Sequence, residues 1–260
     1  MKALLLTAAV TISNPAVAEQ SCQFQLEHDL LISPTQLVLQ QQQQPLWRID
    51  PQGRLWLADK EQTTDAESRA LLQQYQAGIR QQANSTVELV TDAMLLASTA
   101  VGQVLTELTG KSLQDHPALQ QVMAKIQLST DNIIIRNGDT LELRGSQMST
   151  LDQAFGPEFD AAIENLVEES MGNIMLQIGK AMVNGQGNFE QRMEAFGQRM
   201  EKFGEQLEQN MQQKASVLEQ RGEAMCQQVE QLDQLESQIQ QRLPVMQDFD
   251  LFNTQKTAKN

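Results

Sequence analysis

The stretch Phe189-Glu190-Gln191-Arg192-Met193-Glu194-Ala195-Phe196-Gly197-Gln198-Arg199-Met200-Glu201-Lys202-Phe203-Gly204-Glu205-Gln206-Leu207 carries the reading of this chain. Its unit of seven residues, Phe189 to Ala195, recurs almost unchanged as Phe196 to Lys202, and again from Phe203 with Leu207 in place of Met. Phe189, Met193, Phe196, Met200, Phe203 and Leu207 are spaced four and three alternately, which is the seam of a coiled coil. One extra step of four leads to Met211, after which Ala215, Leu218, Gly222, Met225, Val229, Leu232, Glu236, Ile239 and Leu243 resume the four-three register. Such an insertion is a stutter, which locally unwinds the supercoil. Pro244 ends a helix that would reach about 80 Å if continuous. Gly197, Gly204 and Gly222 lie in or next to the seam, each costing about 1 kcal/mol against Ala. Close approach of a partner helix would offset that cost; otherwise they merely lower rigidity.

Upstream, further helices match this one. Gly156-Pro157 introduces a segment carrying Phe159, Ile163, Leu166, Val167, Met171, Ile174, Met175, Ile178 and Met182, whose broad apolar stripe calls for neighbours on both sides. Thr64-Asp65-Ala66-Glu67 supplies a helix start with a capping hydroxyl and an acidic first turn. From Leu71 to Leu108 apolar residues follow at helical spacing until Gly110. A single helix there would run roughly 65 Å, too long for a compact domain, and the pattern leaves open one continuous helix or a break near Asn84-Ser85-Thr86. Those three residues also fit a glycosylation sequon, relevant only in a pathway that recognises it. Asp115-His116-Pro117 opens a shorter helix expected to end near Ser129.

Two regions read as β. Leu30-Leu31-Ile32, Leu37 and Leu39, Leu46-Trp47 and Ile49, and Leu55-Trp56-Leu57 form short runs separated by Ser33-Pro34, a Gln40 to Gln44 tract, and Asp50-Pro51-Gln52-Gly53. This is a small meander, with the Gln tract expected as a loosely ordered hairpin loop. Both tryptophans are expected to fill the core of a three-stranded sheet, with a carbohydrate platform as the alternative. Asn132 to Arg136 and Thr140 to Arg144 flank Asn137-Gly138, a hairpin signal because both central turn positions favour positive φ. The second β element is expected to join the first sheet.

Composition narrows the class of function. The chain has 260 residues, forty-one of them Gln, with 33 acidic against 19 basic side chains and only 4% aromatics. That balance suits neither nucleic acid nor anionic lipid, and so few aromatics do not suit a β-sandwich or barrel. The first eighteen residues read as a secretory signal, with Lys2 leading, Ala3 to Ile12 apolar, and Ala16-Val17-Ala18 as a small-x-small cleavage site before Glu19. The mature chain then carries a formal charge of −15, and no later stretch offers about 18 uninterrupted apolar residues. Cys22 lies close behind the cleavage region, but Glu19-Gln20-Ser21 before it does not suit a lipoprotein signal. Export places Cys22 and Cys226 in an oxidising compartment, where one intramolecular disulfide is the simplest outcome and two buried thiols the alternative.

Chemistry-bearing patterns are scarce. His28 and His116 are the only histidines, and neither has metal-ligand or triad spacing. No phosphate-cradling Gly motif, His-Glu-x-x-His or Gly-x-Ser-x-Gly occurs. Glu190, Glu194, Glu201, Glu205 and Glu208 read as a solvated helix face, and Asp29, Asp50 and Asp139 as turn residues. No catalytic, cofactor or metal residue is therefore assigned, and nothing in the pattern marks a small-molecule pocket. Met171, Met175, Met182, Met193, Met200, Met211 and Met225 fall on apolar stripes, read first as packing within a helical hairpin. Were they exposed, they would suit a docking surface or holdase.

The early Cys22, Leu31-Ile32-Ser33-Pro34 before a strand, Ile49-Asp50-Pro51-Gln52-Gly53, Tyr75-Gln76-Ala77-Gly78-Ile79-Arg80 and the late Cys226 together resemble the YggN family of proteobacterial periplasmic proteins, a family of unknown function. The resemblance spans most of the mature chain. It implies a periplasmic location and favours the Cys22 to Cys226 pairing, and it supplies no catalytic residue. The expected organisation is a signal at 1–18, one mature domain at 19–244 and a flexible tail at 245–260. The expected fold is α+β and predominantly α. A small antiparallel sheet from 24–60 and 131–145 joins long helices at 64–129 and 157–243 in an antiparallel bundle or coiled coil. The expected role is a non-enzymatic periplasmic scaffold for envelope proteins or self-association, and the alternative is a holdase.

Overall fold

In the computed structural model, residues 24–150, 156–157, 159–162, 164–165, 168, 171–172, 175–176, 179, 189–251 and 253–254 are described. They form an α+β fold, mainly helical, in which one antiparallel sheet backs a pair of long helices. Strands β2 (Asp29–Ser33), β3 (Gln36–Gln41), β4 (Gln44–Ile49), β5 (Leu55–Leu57) and β6 (Lys60–Glu61) make the meander, following a short β1 (Phe24–Gln25). Strands β7 (Ile134–Asn137) and β8 (Thr140–Arg144) add to it through β8 on β2, giving the order β6-β5-β4-β3-β2-β8-β7. The second β element thus joins the first, and the sheet has seven strands rather than three.

Alternation along the strands sorts the side chains. Leu30, Leu39, Trp47 and Leu57 lie in one cross-strand row, and Ile32, Leu37, Ile49 and Leu55 in the next. Leu143 and Leu141 extend the two rows on β8, and this face carries the core. The opposite face carries Leu31, Val38, Arg48 and Trp56 in register. The tryptophans therefore part company: Trp47 is fully buried, whereas Trp56 is half-exposed on the outer face. The Gln tract forms the expected hairpin connection, but tightly rather than loosely. Gln40 and Gln41 belong to β3 and Gln44 to β4, leaving a two-residue turn in which Gln42 and Gln43 take φ of 51° and 64°. Two successive positive φ values define the type I′ turn that matches strand twist, adopted here without glycine. In the β7–β8 turn, Asn137 is still strand and only Gly138 has positive φ.

Helix α1 (Ala66–Thr109) is continuous through Asn84-Ser85-Thr86. Asn84 Nδ2 donates to Arg80 O at 2.9 Å and Thr86 Oγ1 to Gln82 O at 2.9 Å, so these polar side chains bond their own helix rather than break it. Its cap is the Asp65 carboxylate, which accepts from Ser68 N at 2.7 Å, rather than the Thr64 hydroxyl. Gly110, in the left-handed region, ends it as expected. Helix α2 (Pro117–Ile133) runs past Ser129 and leads straight into β7.

Helix α3 (Phe189–Arg242) is continuous over 54 residues, stutter included. It lies antiparallel to α1. Arg242 pairs with Asp65 at 3.1 Å and Glu67 at 2.9 Å, Arg221 pairs with Asp92, and Arg199 pairs with Glu107 at 3.4 Å. From the first pair to the last, α3 moves 43 residues and α1 moves 40 to 42, as an antiparallel hairpin requires. The close approach falls on Gly78 of α1, where an added Cβ would sit 2.5 Å from Leu232 Cδ2. Among the described residues nothing lies within 4 Å of such a Cβ at Gly197, Gly204 or Gly222, so no described helix approaches closely there.

Of the expected frayed tail at 245–260, residues 252 and 255–260 lie outside the described residues, and the described part is ordered. Pro244–Met246 is a turn of 3₁₀ helix, Met246 and Leu251 are buried in the core, and β9 (Asn253–Thr254) pairs antiparallel with β1. Apolar residues spaced irregularly have no helical or strand period, yet Met246 and Leu251 still bury, and Phe249 packs against them in part, when the segment crosses an open core edge. A smaller cluster of Val122, Ile126 and Ala162, with Met94 and Phe159, joins α2 to the helical residues that follow Gly156.

Candidate functional site

The sheet, the helix pair and the C-terminal crossing meet at Tyr75 and Glu236. Tyr75 comes from the apolar stripe of α1, and its ring lies 6.3 Å from that of Trp47 at 55°. Glu236 stands at a seam position of α3, where the four-three register points inward, and is only 3% exposed. Tyr75 OH donates to Glu236 Oε1 at 2.5 Å, and Leu251 N–H donates to both carboxyl oxygens at 3.2 Å. Burial pushes the Glu236 carboxyl up to about 8, and nearby Asp250 adds to the rise, while the two donors pull the other way. Glu236 is therefore neutral below that pH and hands its proton toward Asp250. Burial, then the Glu236 charge, likewise holds the Tyr75 phenol well above its ordinary value.

Asp233, Glu236 and Asp250 each offer one carboxylate oxygen within 4.8 Å of the others, the only such group of His, Cys, Asp or Glu among the described residues. A hard divalent cation would want six or more oxygens. Here both Glu236 oxygens already accept hydrogen bonds, and a proton relieves the repulsion among the three acids. The arrangement therefore reads as a proton-holding junction, chemically closer to a latch than to a metal centre.

Beside the junction, Ile79, Gln82, Ala83, Thr86 and Val90 of α1 face Leu30, Leu143 and Ile134 of the sheet across a cavity of about 190 Å³ that Leu251 helps close. On the outer sheet face Trp56 is stacked between Arg48, 4.4 Å from the ring centroid, and Arg54, 5.2 Å away. Asp50 holds Arg54 in place, accepting from its backbone N at 2.9 Å and its Nε at 2.6 Å. Asp50 is thus the turn residue expected. Asp29 is instead a strand residue that accepts from Ser146 N and Oγ at 3.2 and 2.8 Å.

The residues singled out in the sequence separate into two groups. Ala16, Ala18, Glu19 and Cys22 lie outside the described residues, as do the side chains of Phe189, Met193 and Phe196. Met200, Phe203 and Leu207 are half-buried along α3. Cys226 is half-buried next to Met225, whose carbonyl accepts from Gln82 Nε2 at 3.5 Å, and no cysteine among the described residues is free. Of the methionines, Met211 and Met225 are half-buried, whereas Met171 and Met175 are 65% and 72% exposed, so the Met stripes are not uniformly core. Among the described residues one helix, α1, is long and apolar enough to cross a membrane by length and composition alone. Its Glu88 and Asp92 pair with Arg221 of α3.

Tyr75 and Glu236 were not singled out from the sequence. One signal was there: Glu236 is a lone acid in an otherwise apolar seam register, which a solvated face does not explain. A sheet-backed antiparallel helical hairpin closed by a buried tyrosine–carboxyl hydrogen bond is the class of protein these elements define. A family model described as "Protein of unknown function (DUF2884)" matches residues 22–252, and the chain belongs to that family. No curated protein and no solved structure matches it.

Proposed function

We propose that this is a non-enzymatic periplasmic protein that presents an elongated helical surface to other proteins of the cell envelope. The observation that carries the reading is the α1–α3 hairpin, in which the packing of α1 on the sheet core ends at Val87 while the two helices stay paired as far as Arg199 and Glu107, with Leu95 67% exposed along the way. The resemblance to the YggN-like periplasmic proteins and the secretory pattern of residues 1–18 support the location. Photo-crosslinking from Leu95 in intact cells tests the surface. Adducts with a second envelope protein are expected, and recovery of no partner beyond the chain itself would overturn the reading.

Exposed Met171, Met175 and Leu176, at 65%, 72% and 62%, favour a second reading as a holdase, since unbranched side chains adapt to varied apolar clients. Its strong negative charge suits basic or apolar clients. Failure to suppress aggregation of unfolded outer-membrane proteins at stoichiometric ratios would remove this reading. We also propose a Cys22 to Cys226 disulfide tethering the N-terminal segment to α3. Thiol trapping in periplasmic extract is expected to label neither cysteine before reduction, and labelling of both sinks the bond.

A further inference from the structure

The segment that follows Pro244 lies across the helix pair as a strap. Met246 and Leu251 bury at the core edge, β9 pairs with β1 over two residues, and Gln240 Nε2 donates to Phe249 O at 3.1 Å. Leu251 N–H meets both carboxyl oxygens of Glu236 at 3.2 Å, so the strap backbone lies directly against that carboxyl and shields it from water. Acidic and phenolic groups face Glu236 from the elements packed on it: Tyr75 from α1, Asp233 one turn back on α3, and Asp250 from the strap. The sheet reaches the junction through the Trp47 ring against Tyr75, which does not titrate. The three carboxylates bring oxygens within 4.8 Å of one another, so ionising all of them sets like charges side by side, with Glu236 out of water.

We propose that this strap is proton-linked: docking it takes up one proton at Glu236, and lifting it away releases that proton to solvent. An ionised Glu236 still accepts from Tyr75 OH and Leu251 N–H, so those bonds do not drive release. Two other gains do, hydration of the Glu236 carboxylate and separation of Asp250 from it. Tyr75 and Glu236 stand on long helices packed in the core, whereas the strap is anchored by two buried side chains and a two-residue ladder, so the strap is the part that yields. Lifting it uncovers the core edge beneath Met246 and Leu251 and the cavity that Leu251 helps close. Undocked, the carboxyl ionises at lower pH than when docked, where it is held up to about 8. Docking is therefore strongest in acid, weakens by up to about tenfold per pH unit, and levels off above about 8, where both forms are ionised. The strap crosses the sheet end of the hairpin, so the proposal does not depend on the scaffold reading.

Chymotrypsin cleavage after Met246, Phe249 and Leu251 of the purified protein measures the undocked fraction, once divided at each pH by the rate on a free peptide of residues 244–254. That ratio is expected to rise about tenfold between pH 6 and 8 and then level off, with no matching rise of cuts inside α1 and α3. Glu236→Gln, which cannot ionise, should change by less than about twofold over the same range. Asp250→Asn, which removes the like charge, should show a smaller rise than the parent. Asp250 is exposed, so this second variant keeps the comparison available if Glu236→Gln fails to fold. A parent ratio that stays level, a slope in either variant equal to the parent's, or helix cuts rising in step with strap cuts would each overturn the proposal. The last of these marks global unfolding rather than release of a strap.

Discussion

Glu236 sits where an apolar residue would ordinarily stand, and its neighbours decide its charge. With its carboxyl raised to about 8 from an unfolded value near 4.5, the folded chain binds a proton between those two limits that the unfolded chain has released. The stabilisation this represents is fully present below about pH 4.5 and is lost as pH rises through 8. Over that interval the fold weakens by up to about 1.4 kcal/mol for each pH unit. Glu236→Gln, which keeps the shape and presents an amide donor toward Asp250, is expected to remove this component. Denaturant unfolding from pH 5 to 9 checks it. If variant and parent lose stability in parallel over that range, the carboxyl is not held neutral. Tyr75 belongs to the same residue-scale argument: as an aromatic on a helical stripe it was legible as core, but its hydroxyl partner lies 161 residues away and no local pattern names it.

At the scale of elements, the heptad run and its stutter were readable because a four-three spacing over so many turns has no other simple packing. Helix α3 follows it without interruption, and every described seam side chain from Met200 to Ile239 is at least half-buried. The continuity of α1 and the tightness of the Gln hairpin turn were not legible for a common reason. Local preference was weighed without the neighbours that overrule it: α3 supports α1 along its length, and cross-strand pairing of β3 with β4 forces Gln42 and Gln43 into a tight turn. The seam glycines are now assigned to the plainer reading. Open space around a Cβ at Gly204 and Gly222 leaves only their helix-propensity cost. Gly204→Ala and Gly222→Ala are each expected to raise stability by about 0.5–1 kcal/mol, measured by chemical denaturation. A loss of stability in either would mean that a close partner does use that surface.

The whole molecule is a graded structure. Near the sheet the hairpin is buried between Trp47, Leu72, Ile79, Val229 and Ile239, while its far part carries ion pairs such as Arg199 with Glu107 that are partly exposed and contribute little each. Opening free energies should follow the same gradient. Native-state hydrogen exchange is expected to find the slowest amides in 72–83 and 229–239 and faster exchange in 198–211. Equal protection along the whole of α3 would contradict a sheet-anchored hairpin.

The sequence by itself determined the α+β class, the meander and its partner hairpin, and the long seam helix. Each of these rests on a short period, two for strands or three and a half for the coiled coil, that local side chains impose. Only the tertiary structure decided that the segment after Pro244 is docked, that Glu236 is neutral, and that a cavity opens beside Gln82. Those features are assembled from β2, α1, β8, α3 and Leu251, and their proximity comes from burying several apolar faces against one another, which no window of a few residues encodes.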